Sequence, residues 1–205
     1  MRAAGVNVDE AEKDMHTPMY VSAEDGHVEV GRALVEAGAN IDQESSIDGA
    51  TALYMSAQNG HAKVVRALVE VGTNVDQALT TDGATPLYLS AQNGHVEVVR
   101  ALLEAGANVD QAKTNGFTPL FVAARKGKVK VVHALVEAGA SIDQASKDGF
   151  TPLFVSAQDG HAEVVRVLLE AGANVDQDEP EHGATPVYTS AINGHAKVVR
   201  ALLEA

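Results

Sequence analysis

A Thr-Pro-Leu-aromatic block, with Ala52 for the Pro once and Met19 or Val187 for the Leu, returns six times along the chain, opening at Thr17, Thr51, Thr85, Thr118, Thr151 and Thr185. The steps between copies are 34, 34, 33, 33 and 34 residues. A Gly stands nine residues after each Thr, at Gly26, Gly60, Gly94, Gly127, Gly160 and Gly194, and a His follows it everywhere except at Lys128. Two markers holding one phase argue against an ordinary globular layout. A unit this short cannot bury its own apolar face, so it must stack on its neighbours.

The third unit shows what each one folds into. Thr85 can cap a helix with its hydroxyl, and Pro86 suits the first helical position, where no N–H is needed. That helix runs through Leu87, Leu89 and Ala91 to about Asn93, and Gly94 can take the left-handed conformation that ends it. His95 then opens a second helix. Its Val98, Val99, Leu102 and Leu103 make one apolar stripe, while Glu97, Arg100 and Glu104 share the opposite face at ion-pair spacing. Gly106 stops this helix, and the stretch from Ala107 to Phe117, with Asp110 and Gly116, reads as an extended finger. Aromatics make up only 4% of a chain that is 45% hydrophobic. The core is therefore built from Ala, Val and Leu, which suits closely packed helices.

These residues resemble the ankyrin repeat, whose signature is Thr-Pro-Leu-His-x-Ala at a period of about 33 residues. The family's Gly-His-x-x-Val-Val and Leu-Leu-x-x-Gly-Ala blocks stand here as Gly94-His95 with Val98-Val99, and as Leu102-Leu103 with Gly106-Ala107. The resemblance covers essentially the whole chain and implies an all-α ankyrin repeat solenoid, an α-α superhelix of paired antiparallel helices with hairpin-like fingers. Its units are expected at 10–42, 43–76, 77–110, 111–143, 144–176 and 177–205. The last is incomplete, and residues 1–9 match the tail of a preceding repeat, so the chain reads as a segment of a longer array. Two departures stand out. Tyr or Phe replaces the signature His in every copy, which puts in doubt some of the hydrogen bonding that ties the family's fingers together. Asp42, Asp76 and Asp110 stand where the family usually has Asn.

Chemistry finds little to use. With no cysteine in the chain, disulfides, thiolate metal sites and a cysteine nucleophile are excluded. The Gly-His histidines are spread one per repeat, which separates them too far for a shared metal site. Ser22, Ser56, Ser90, Ser156 and Ser190 share one repeat position without a phased base and orienting acid, and read as small packing residues. Asp178, Glu179, Glu181 and His182 offer possible cation ligands but read, with Pro180 among them, as a solvated loop. No enzyme and no cofactor is expected.

The repeats differ at their surface. In the ankyrin family, partners are usually held by finger tips and the exposed side of the first helix, which together form a concave face. On this chain that face includes Gln92, Asn93, Arg125, Lys126, Gln158 and Asp159. Formal net charge is −13, yet no acidic residue lies between Asp110 and Glu137, where Lys113, Arg125, Lys126, Lys128 and Lys130 carry +5. The remainder holds 10 basic against 28 acidic groups, or −18. Phe117 and Phe150 precede Thr118 and Thr151 at a position the family exposes, and two exposed rings beside Arg125 and Lys126 would make an aromatic and basic anchor.

The expected function is a noncatalytic scaffold that binds a protein or extended peptide, with an acidic segment, on its concave face. Alternatives are a targeting or regulatory arm of a larger enzyme, a structural spacer without a selective ligand, and an acidic surface that captures basic proteins. Net acidity argues against nucleic acid or an anionic membrane as partner. A monomeric, intracellular, cytoplasmic protein is expected. One weak point is also legible: Gly31 stands where the other repeats carry Val65, Val99, Val132, Val165 and Val199, so the first repeat should fray earliest.

Overall fold

The computed structural model describes residues 7–11, 16–47 and 49–205. Most of the proposed N-terminal remnant, at residues 1–6, lies outside them. The described residues form twelve helices in six pairs and no strand. The first helices are α1 (Pro18–Glu24), α3 (Ala52–Asn59), α5 (Pro86–Asn93), α7 (Pro119–Arg125), α9 (Pro152–Gln158) and α11 (Pro186–Ile192). Each is followed by a second helix: α2 (Val28–Glu36), α4 (Ala62–Glu70), α6 (Val96–Glu104), α8 (Val129–Glu137), α10 (Ala162–Glu170) and α12 (Ala196–Leu203).

Every first helix is capped by its phased Thr, and all but α3, which opens on Ala52, carry Pro at the first position. The Thr hydroxyl accepts from the backbone N–H three residues on, as from Thr85 to Tyr88 at 3.1 Å, which satisfies one of the donors a helix start leaves unpaired. Gly94 ends α5 at φ 86, a conformation that costs glycine little and a Cβ-bearing residue more. The Ser hydroxyls turn inward and donate to the carbonyl three residues back, as Ser56 does to Leu53 at 3.0 Å. They fill small spaces between helices, in line with their packing role.

First helices stack on first helices and second on second, and the first helices pack more closely. That inequality curves the array toward the first-helix side. One continuous core runs through it, with Leu53, Leu87, Leu120, Leu153, Leu102, Leu135 and Leu168 all fully buried. Fingers join through their backbones: Thr114 N–H donates to Asp82 C=O at 2.9 Å, and Lys147 N–H to Asn115 C=O at 3.1 Å. Gly116 is needed at this junction, since a Cβ there would lie 2.7 Å from Lys147 N.

The two departures from the family pattern have physical outcomes. The aromatic residue in place of His is buried in five of six repeats, at Tyr20, Tyr54, Tyr88, Phe121 and Phe154, and acts as core. The phased Asp residues add a regular set of cross-repeat hydrogen bonds to those between finger backbones. Asp9, Asp42, Asp76, Asp110 and Asp143 each accept from a backbone N–H one repeat later, at Asn40, Asn74, Asn108, Ser141 and Asn174. A charged acceptor makes each of these a stronger tie than a neutral Asn would.

Candidate interaction surface

At the turn between helices the sequence places histidines, and the structure gives them a use. His61, His95, His161 and His195 each bring Nε2 within 2.8 to 3.0 Å of a carbonyl at the end of the preceding first helix. Asn59, Asn93 and Asn193 donate their side-chain amides to the same region, Asn93 to Gln58 C=O at 2.9 Å. These groups satisfy carbonyls that a helix end leaves open. Asn93 is thus exposed but already tied to the neighbouring repeat, while Gln92 beside it is half-buried.

Repeat four differs along this edge. Lys126 replaces the Asn, and Lys128 replaces the His and lays its aliphatic stem over Gly94. Arg125, Lys126 and Lys130 are exposed, and among the described residues none has a carboxylate in ion-pair range. Lys63, Lys147, Lys197 and Arg200 are likewise exposed and, among the described residues, without an ion pair, but singly or far from repeat four, whereas four arginines are paired. Arg32 meets Glu70 at 3.9 Å, Arg66 meets Glu104 at 3.0 Å and Arg100 meets Glu137 at 4.0 Å, linking successive second helices. Arg166 pairs with Glu163.

The fifth cation of the basic window is half-buried and paired. Lys113 pairs with Asp82 at 2.5 Å across fingers three and four, and its ammonium sits 5.1 Å from the Tyr88 ring centre. Burial works to raise the Asp82 carboxyl, but the Lys113 hydrogen bond and charge and the Ala84 N–H outweigh it and hold the group below its ordinary value. Burial pushes the Tyr88 phenol up; Asp82 adds to the rise and Arg125 opposes it.

Phe117 and Phe150 lie differently from the sequence expectation. Both are half-buried rather than exposed, Phe117 stacked on Phe121 at 4.3 Å and Phe150 against Phe154 at 5.2 Å. With Val155 and Ala184 they form a second apolar cluster at the bases of the last three fingers. Nor do they sit directly beside the cations. Phe117 precedes α7 and Arg125 ends it, so about 12 Å of helix rise separates them. Gln158 and Asp159 are exposed at the end of α9, one repeat along from Arg125 and Lys126.

The acidic finger of the sixth repeat also departs from expectation. Glu179 is 4% exposed, not solvated. Its carboxylate accepts from the backbone N–H groups of Glu181 and His182 at 2.8 Å and of Ala184 at 3.3 Å. Burial acts to raise this carboxyl, but those three donors and the adjacent His182 bring it below its ordinary value. It is a loop cap, a role that a motif search for cation ligands does not anticipate. Among the described residues, no group of three or more His, Asp or Glu is arranged to hold a metal ion, and no helix is long and apolar enough to cross a membrane.

The family model for ankyrin repeats matches residues 2–78, 71–146 and 138–205. The chain belongs to the ankyrin repeat family, a non-catalytic fold that serves in general as a scaffold for protein–protein interaction. A comparison with curated proteins returned no match.

Proposed function

We propose that the chain binds an extended acidic protein segment along its first-helix side, centred on the fourth repeat. The observation that carries this reading is the exposed Arg125 and Lys126 at the end of α7, with no carboxylate in ion-pair range among the described residues, in a chain whose remainder is strongly negative. Such an island attracts carboxylates from a distance, and Arg125 can grip one bidentately. The half-buried Phe117 and Phe150 rings supply apolar area at the finger bases. Gln92, Asn93, Gln158 and Asp159 form the polar flanks. Asp159 also sets direction, because a carboxylate beside it is repelled.

Selection of displayed random peptides on the immobilised chain tests this. Selected peptides should be acidic, and the double variant Arg125→Glu, Lys126→Glu should lose most of their binding and its salt dependence. Glu97→Ala on the second-helix face should change little. Phe117→Ala and Phe150→Ala should each weaken binding by at least about 1 kcal/mol, with a melting curve to separate lost contact from lost fold. Neutral or basic peptides that bind the charge-reversed variant equally well would refute the reading.

A further inference from the structure

Three breaks in the repeat pattern converge on one cleft. Met19 stands where repeats two to five carry Leu53, Leu87, Leu120 and Leu153; Gly31 replaces the phased Val; and Val71 replaces the Ala of Ala105, Ala138 and Ala171. All three line a cleft of about 170 Å³ between α2 and α4, with Val28, Val64 and Leu68 completing the apolar wall. The cleft opens on the second-helix side, away from the face assigned to the acidic segment, so the two readings stand or fall separately.

Gly31 makes the space. A Cβ at this position would lie 3.9 Å from Ser22 Oγ and 4.0 Å from Met19 Sδ, an ordinary contact, so nothing in the packing demands glycine. In repeats two to five the equivalent Val is fully buried. Here its volume is left open above Val64 and Leu68, which are themselves buried. The chemistry of the wall selects the occupant. Aliphatic groups and a thioether make up most of it, the exposed Arg32 and Glu36 complete the lining, and among the described residues no buried side-chain nitrogen or oxygen lacks a partner. Against the apolar part, formed by Met19, Val28, Val64, Leu68 and Val71, a charged or strongly polar guest would lose hydration that these side chains do not replace. An enclosed aliphatic cavity on the order of 150 Å³ accepts a benzene-sized molecule, and this open cleft offers a comparable volume. Met19 adds a flexible, polarizable wall that favours aromatic contact.

We infer that this cleft is a binding site for a single uncharged aromatic ring. The probe is benzene, added to the whole 205-residue chain and followed by methyl NMR. Saturable shifts should appear at the Met19 ε-methyl and at the Val64 and Leu68 methyls. Gly31→Val should abolish them or raise the benzene required at least about tenfold, and Gly31→Ala should do so to a lesser degree. Ile192→Ala, an exposed apolar site at the far end of the array, should leave them unchanged. Absence of saturable shifts at Met19, or an undiminished response in both Gly31 variants, would overturn the inference. Movement of the same methyls as the protein is concentrated without benzene would overturn it too, since a second copy would then be filling the cleft.

Discussion

Helices α2 and α12 hold the same place in the first and last repeats, yet they differ in what they bury. Val198, Ala201 and Leu202 of α12 are buried, whereas α2 contains no buried residue. Val30 and Val198 occupy equivalent positions and are 50% and 0% exposed. The second helix of each repeat therefore points this Val back at the repeat before it. A repeat is covered on that side by its predecessor, so α12 inherits a finished surface from α10 while α2 relies on what it packs against in α1 and α4. Gly31 removes part of that remaining support. In a nearest-neighbour stack such a deficit stays local, which makes the first repeat the place where the array opens.

The strongest way to break this comparison is to move the defect inward. Val99→Gly should create in the middle of the array both the cavity and the helix penalty now confined to α2, at a cost of about 3 kcal/mol or more. Urea unfolding should shift accordingly, and hydrogen exchange should show α6 opening before α4, α8 and α10. Next in size, Gly31→Val should stabilise by about 1 to 2 kcal/mol through helix propensity and buried area. In the parent chain the α2 amides should exchange before those of α4 to α10, and this substitution should narrow the gap. Uniform exchange across all repeats would show that the array unfolds as one unit and that end position does not matter.

Much of this was legible in the sequence because phased local signals specify it: Thr caps, Pro at the first helical position, Gly after each helix and a Val-Val, Leu-Leu stripe. The role of Gly31 followed from the same phase. The signal for the Asp ties was present too, since Asp42, Asp76 and Asp110 keep the period, but their acceptors' partners lie in another repeat and spacing alone does not reveal them. Phe117 and Phe150 show where single-sequence reading stops. Their half-burial is set by Phe121, Phe154 and the adjoining fingers, and the position is buried or half-buried in every repeat, at His16, Ala50, Ala84 and Ala184 too. Glu179 looked like one of several loop carboxylates; only the folded finger turns three N–H groups toward it.

Acid should reduce the contrast between the two ends. The Glu179 carboxyl lies below its ordinary value of 4.5 in the folded chain, so the folded state binds its proton less readily than the unfolded one. Its stabilising contribution is complete above pH 4.5 and is lost as pH falls through the lower folded value. The amides of residues 181–184 should accordingly lose exchange protection in that acid range before the corresponding amides of the fifth finger, whose cap is the Ser146 hydroxyl. Glu179→Gln should loosen the same finger at neutral pH and flatten its acid response. An unaltered acid response in this variant would mean that other carboxylates control the C-terminal end.

The smallest effect belongs to the Lys113 and Asp82 pair in the middle of the array, and it separates local ties from packing. The pair is partly solvent-exposed, so its attraction is screened and Lys113→Ala should cost no more than about 1 kcal/mol even with the Tyr88 contact included. The folded Asp82 value is again depressed, below 3.8, so the contribution is present above that pH and disappears as acid protonates the folded carboxylate. A double-mutant cycle with Asp82→Asn, read by urea midpoint, isolates the pair from the backbone bond between Thr114 and Asp82, which both variants keep. Local protection at Thr114 should fall slightly while α5 and α7 remain unchanged. If instead Lys113→Ala destabilised the chain as much as Val99→Gly, finger pairing rather than the Ala, Val and Leu core would be what holds the middle repeats above the first.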